Sequence, residues 1–174
     1  MRRALATATL FAAVLAAPAT AQTTVYSTFG PGNSYYFGSG WTIGGPSDDL
    51  AVAAGFTYAG PGGMSMFDLS FAAFSVYNPP DLAEFVSGDI NRGTVLESWN
   101  VAPPLDGIYT LTSLLNPGFT NGESYFLRLS GPPNETWWAW NWNDQGYTGL
   151  WSSDDGSAYQ YTQGASAPTL AVRY

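Results

Sequence analysis

Thr136-Trp137-Trp138-Ala139-Trp140-Asn141-Trp142-Asn143 places four of the chain's seven tryptophans within six consecutive residues. On an extended strand successive side chains alternate between faces, so Trp138, Trp140 and Trp142 share one face and Trp137, Ala139 and Asn141 the other. A row of three indoles is either the floor of a core or a flat platform on which a ligand stacks. The residues alone leave both open. No window on either side carries the three-four spacing of an amphipathic helix.

Working outward, short β-branched and aromatic runs bounded by turn residues dominate, which is the signature of an all-β chain. Residues 124–130 alternate Tyr125, Leu127 and Leu129 against Phe126 and Arg128. Before them, extended segments are expected over 108–115, 94–101, 82–87, 64–77, 50–58, 41–43, 35–37 and 24–29. In 64–77, Phe67, Leu69, Phe71 and Ala73 alternate before the apolar phase slips to Phe74 and Val76, which predicts a β-bulge near Ala72-Ala73. After the tryptophans comes a polar loop rich in Gly, Ser and Asp, and then a closing strand over 168–174. About ten short strands at roughly 8–12-residue spacing predict one antiparallel β-sandwich of jelly-roll type, residues 22–174.

The amino terminus reads differently. Met1-Arg2-Arg3, an apolar run from Ala4 to Ala17 and Ala19-Thr20-Ala21 match the three parts of a secretory signal peptide, cleaved after residue 21. The apolar run is too short to span a bilayer, so no membrane span is expected in the mature chain. That chain would hold three arginines (Arg92, Arg128 and Arg173) against thirteen acids, a net charge of −10, with no lysine or histidine. So acidic a surface repels phosphate backbones and anionic lipid headgroups, which argues against nucleic-acid partners. Neutral polysaccharides, cations or other surface proteins are the expected partners. With no cysteine, stability must come from burial alone.

Four segments then follow in order: Gly93-Thr94-Val95-Leu96-Glu97-Ser98-Trp99, Gly122-Glu123-Ser124-Tyr125-Phe126-Leu127-Arg128-Leu129-Ser130, Trp138-Ala139-Trp140-Asn141 and Asp154-Asp155-Gly156. Together they resemble the choice-of-anchor R type of bacterial exported domain, which often occurs in proteins carrying a PEP-CTERM sorting tail. The resemblance covers roughly residues 50–174. It implies an exported β-sandwich of uncharacterised activity, secreted or at the cell surface. Such proteins often end in a Pro-Glu-Pro motif, an apolar helix and a basic tail. This sequence closes on Ala171-Val172-Arg173-Tyr174, so free secretion or periplasmic residence is expected instead.

Absences narrow the chemistry. Without His or Cys there is no Ser-His-Asp or Cys-His arrangement and no ordinary zinc site, and without Lys no Schiff base. Only carboxylates remain for acid/base work. A glycosidase needs two of them facing each other, about 5–5.5 or 6.5–9.5 Å apart. Glu97 and Glu135 are the candidates, yet no pair stands at strand spacing, and Glu97 is expected to be a solvated outward residue. A non-catalytic binding or structural module is therefore the expectation, with a carboxylate-based glycan-processing enzyme, a self-associating protein and a small outer-membrane barrel as alternatives.

A neutral glycan would stack its C–H faces on aromatic rings. The candidate ligand residues are Trp138, Trp140, Trp142, Asn141, Asn143, Asp144, Tyr147 and Trp151. Ca²⁺ is the one cofactor weighed, through loop carboxylates at Asp154 and Asp155, with Asp48 and Asp49 a second such pair. Neither pair has a full calcium-loop spacing.

Overall fold

The tryptophan segment forms a central strand, and the rest of the fold is built around what it buries. The structure is a computed structural model that describes residues 22–44, 50–77, 81–101, 106–131, 137–153 and 157–174. Residues 1–21, expected to be a signal peptide, the sequence around Glu135 and the paired aspartates at 48–49 and 154–155 lie outside the described residues. Twelve strands are seen among those described: β1 (Thr24–Ser27), β2 (Gly40–Gly44), β3 (Ala51–Thr57), β4 (Asp68–Tyr77), β5 (Asp81–Ser87), β6 (Thr94–Val101), β7 (Gly107–Thr112), β8 (Ser124–Ser130), β9 (Trp137–Asn141), β10 (Thr148–Ser153), β11 (Gln160–Ser166) and β12 (Ala171–Arg173).

Eight of them make a jelly roll. One sheet runs β2-β9-β4-β7 and the other β3-β8-β5-β6, antiparallel throughout, and the chain changes sheet at nearly every connection. The remaining four strands extend this frame. β10 and β11 continue the second sheet beyond β3, while β12 and β1 join the first. Since β7 and β12 both pair residues 68–70, and β7 and β9 both pair Ala73, β12 and β9 must share one side of β4. Thr169 fills the hand-over between them: its N–H donates to the Asn141 carbonyl at 2.9 Å, and its Oγ1 accepts from Ala72 N–H at 2.9 Å.

The alternation read from the sequence sets the core. Val52, Ala54 and Phe56 of β3 and Tyr125, Leu127 and Leu129 of β8 face Leu69, Phe71 and Ala73 of β4 and Trp138 and Trp140 of β9. Each fully buried indole removes about 200 Å² from water, of order 5 kcal/mol at about 25 cal/mol per Å² before entropy is counted. Sandwich rather than barrel is the architecture. The second sheet ends in the edge strands β11 and β6, and a closed barrel has no edges. Among the described residues no helix is long and apolar enough to cross a membrane.

Four expectations are corrected. Twelve strands are seen where about ten were expected: β10 and β11 occupy the stretch expected to be a polar loop, while residues 35–37, expected to be extended, form no strand. The irregularity in β4 falls between Ser75 and Tyr77, opposite β9, not at Ala72-Ala73. Ala72 and Ala73 are both buried on a regular strand, one on each face, with Ala72 covered on the outside by Phe29 and Tyr35. Phe67 points to solvent, and Met66 takes the core position before β4.

Glu97, expected outward and solvated, is buried. A shift of register at Leu96 turns it inward opposite Phe85. Its carboxylate caps the turn after β7, accepting from Ser113 Oγ at 2.5 Å, Leu114 N–H at 2.7 Å and Leu115 N–H at 3.4 Å.

Candidate functional site

β10 pairs with β3 only at Ala51, Val52 and Ala53, while β3 continues along β8 as far as Thr57. Two features draw β10 away. Gly149 has φ +103°, which L side chains rarely adopt, and β11 carries two extra residues between its partners of Thr148 and Leu150. A pocket of about 180 Å³ opens where the strands part, lined by Tyr26, Ala54, Gly55, Tyr147, Thr148, Gly149, Trp151, Tyr161, Ala167 and Pro168. Among the described residues its lining holds no charged side chain. Its walls come from the supplementary strands set against one edge of the jelly roll.

Aromatic rings continue from the pocket over the outer face of the second sheet. Trp151 is half-buried. It sits 4.7 Å, centroid to centroid, from Tyr161, its partner on β11, and 4.9 Å edge-on from Phe126. Small residues make this row possible. A Cβ at Gly55 would come within 2.4 Å of Phe126 Cδ1, and one at Gly149 would meet Tyr161 Oη. Arg128 lies beyond, bonded to Glu84 at 2.6 Å, with its guanidinium 6.0 Å from the Tyr159 ring. Polar capacity within the pocket comes from hydroxyls. Burial, and after it the neighbouring Tyr147, pushes the Tyr26 phenol up to about 12. It therefore stays protonated, donor and acceptor both, through the physiological range.

The candidate residues part company here. Trp138 and Trp140 have no exposed surface, since β9 lies between β2 and β4 with its inner face against the opposite sheet, so neither is a stacking platform. Trp140 donates its indole N–H to the Thr169 carbonyl at 2.5 Å. Trp142 is half-buried against Trp41, ring centres 5.9 Å apart, with its indole nitrogen shut away from solvent, and it is not among the residues that line the pocket. Asn141 is buried and spends its amide on the carbonyls of Tyr36 and Ser39. Asp144 belongs to a knot over Gly30, where a hydrogen bond from Ser34, and then one from Gln145, holds its carboxyl below the usual range.

Tyr147 and Trp151 do line the pocket. Asn143 holds Tyr147 there. Its Oδ1 accepts from the N–H groups of Gln145 and Tyr147, each at 3.0 Å, while Nδ2 donates to the carbonyls of Tyr147 and Ala167 at 2.8 and 2.7 Å. Asp154 and Asp155 lie outside the described residues, among which no cluster of acids is arranged to hold a metal ion.

Sequence reasoning missed Tyr26, Gly55, Thr148, Gly149 and Tyr161. The nearest signal was Gly146-Tyr147-Thr148-Gly149, two glycines flanking a tyrosine and a threonine beside a tryptophan, which marks a bend with aromatic neighbours. Comparison of the chain with family models, with curated proteins and with solved structures gives no match.

Proposed function

We propose that this chain is an exported, non-catalytic jelly-roll module that binds a neutral, hydroxyl-rich ligand, a glycan, in the pocket between β3 and β10. The carrying observation is the lining: half-exposed indole and phenol rings, hydroxyls and backbone, without a charge. Sugar rings have apolar C–H faces for the rings and hydroxyls for the polar atoms. Export is supported by the amino-terminal pattern of Met1 to Ala21 and by the resemblance to choice-of-anchor R domains. The non-catalytic reading draws on two acids among the described residues. Glu97 is committed to the turn after β7 and Glu84 to Arg128, so each carboxylate already has an internal partner.

The test is a titration of residues 22–174 with neutral polysaccharides, with and without Ca²⁺, followed by tryptophan fluorescence. A saturable change that disappears in a folded Trp151→Ala protein is expected. A calcium requirement would extend the site to Asp154 and Asp155. An unchanged response in Trp151→Ala would remove the pocket from the binding reaction.

A further inference from the structure

The backbone around the pocket says which part of a glycan it takes, on the reading that a neutral glycan is the ligand. Tyr58 N–H donates to the Glu123 carbonyl at 2.9 Å, and Gly88 N–H to the Ser124 carbonyl at 2.9 Å. Hydrogen-bonded and non-bonded pairs alternate along an antiparallel ladder. The first bond therefore assigns the amides and carbonyls of Val52, Ala54, Phe56 and Tyr58 to the β8 side. The second sets the alternate residues of β8 toward β5 and leaves Tyr125, Leu127 and Leu129 for β3, which is the same register. Ala51, Ala53 and Gly55 consequently aim their amides and carbonyls the other way. Ala51 and Ala53 meet Ser153 and Trp151 of β10. Gly55 meets no strand, because pairing has ended, and it lines the pocket.

We infer that the ligand takes the place of the missing ladder rung: a terminal neutral sugar ring whose adjacent hydroxyls bond the amide and carbonyl of Gly55. A hydroxyl both donates and accepts, so two neighbouring hydroxyls satisfy one N–H and one C=O pointing the same way. The phenols of Tyr26 and Tyr147 reach the same space, and Trp151 and Tyr161 offer their rings to the C–H face. A volume of about 180 Å³ is of the order of one sugar ring, which is why the ring is inferred to be a terminal one. A neutral ring is favoured over a charged one because, among the described residues, no lining side chain would compensate a charge.

The experiment uses isotope-labelled residues 22–174 with glucose, mannose, galactose and xylose, and with cellohexaose, mannohexaose, maltohexaose and xylohexaose. Tryptophan fluorescence reports binding, and amide hydrogen exchange by NMR reports Gly55. Without sugar, the Gly55 amide is expected to exchange faster than those of Ala54 and Phe56, which are bonded to β8. With a saturating sugar it slows by roughly tenfold, the worth of one hydrogen bond. The free monosaccharide should bind within a few-fold of its hexamer.

Two other outcomes separate this inference from the reading beneath it. A fluorescence change with Gly55 exchange unmoved, or affinity climbing tenfold or more with chain length, puts the glycan along the outer row of Trp151 and Phe126; terminal-ring recognition is then wrong while glycan binding stands. No change with any sugar overturns both.

Discussion

Trp140 and Trp151 both sit on strands beside asparagine- and glycine-rich turns, yet burial gives them opposite roles. Trp140 is wholly enclosed between the sheets, touches Phe71 and bonds the Thr169 carbonyl. Truncating it to alanine leaves a cavity of indole size and an unpaired carbonyl, a loss of about 3–5 kcal/mol in a urea or thermal melt. Trp151 has solvent on one side and loses mainly its ring contacts with Phe126 and Tyr161. Trp151→Ala should cost about 1 kcal/mol and remove glycan binding.

Tyr26 supplies a pH signature. Its phenol titrates near 10 when unfolded and at about 12 in place. Folding therefore favours the protonated form, so its contribution is full below pH 10 and is lost as pH rises from about 10 to 12. Across that window Tyr26→Phe should hold its stability better than the parent, by up to roughly 2 kcal/mol, less for the part of the ring that solvent screens. Parallel alkaline unfolding curves for the two proteins would refute this assignment.

At the scale of elements, two turns carry more than their length suggests. The turn after β7 is built on Glu97, whose carboxylate accepts from Ser113, Leu114 and Leu115, while Asn116 N–H donates to Ser113 Oγ at 2.8 Å. It leaves Leu114 and Leu115 largely exposed. Glu97→Ala would strand the buried Ser113 hydroxyl and the part-buried amides of Leu114 and Leu115, and should lower stability by about 3 kcal/mol in chemical denaturation. The second turn, 143–147, hangs on Asn143. Asn143→Ala should weaken glycan binding by about tenfold through a displaced Tyr147, while Trp151 keeps its ring contacts.

Neither turn was legible from periodicity. Glu97 lies on a strand whose register shifts at Leu96, and a shift of one residue exchanges inside for outside. β11 was missed for a related reason. An edge strand exposed along most of its length has no buried face, so Gln160-Tyr161-Thr162-Gln163 shows none of the apolar alternation that marks β3, β4 and β8. Where a strand buries one face against the opposite sheet, as β8 does, the reading matched the structure residue by residue. The pocket is made by the strands that break that rule. Its most informative residues, Gly55 and Gly149, act through backbone and missing Cβ atoms, which a hydrophobic pattern does not record.

For the molecule as a whole, charge and site work independently, and salt tells them apart. Three arginines face thirteen acids in residues 22–174, and Arg128 and Arg173 are already paired with Glu84 and Asp68. The remaining carboxylates repel one another over distances that about 0.5 M salt screens to a few ångströms. The melting temperature of residues 22–174 should therefore rise with sodium chloride, since relief of repulsion across the surface outweighs the weakening of two partly buried ion pairs. The described residues that line the pocket contribute no charge to this balance. Glycan affinity measured over the same salt series should stay flat within about twofold, because a neutral ligand on hydroxyls, rings and backbone has no Coulomb term to screen. An affinity that falls steeply as salt rises would mean that the true ligand is a cationic partner of the acidic surface, and the jelly roll would then be read by its charge and not by its pocket.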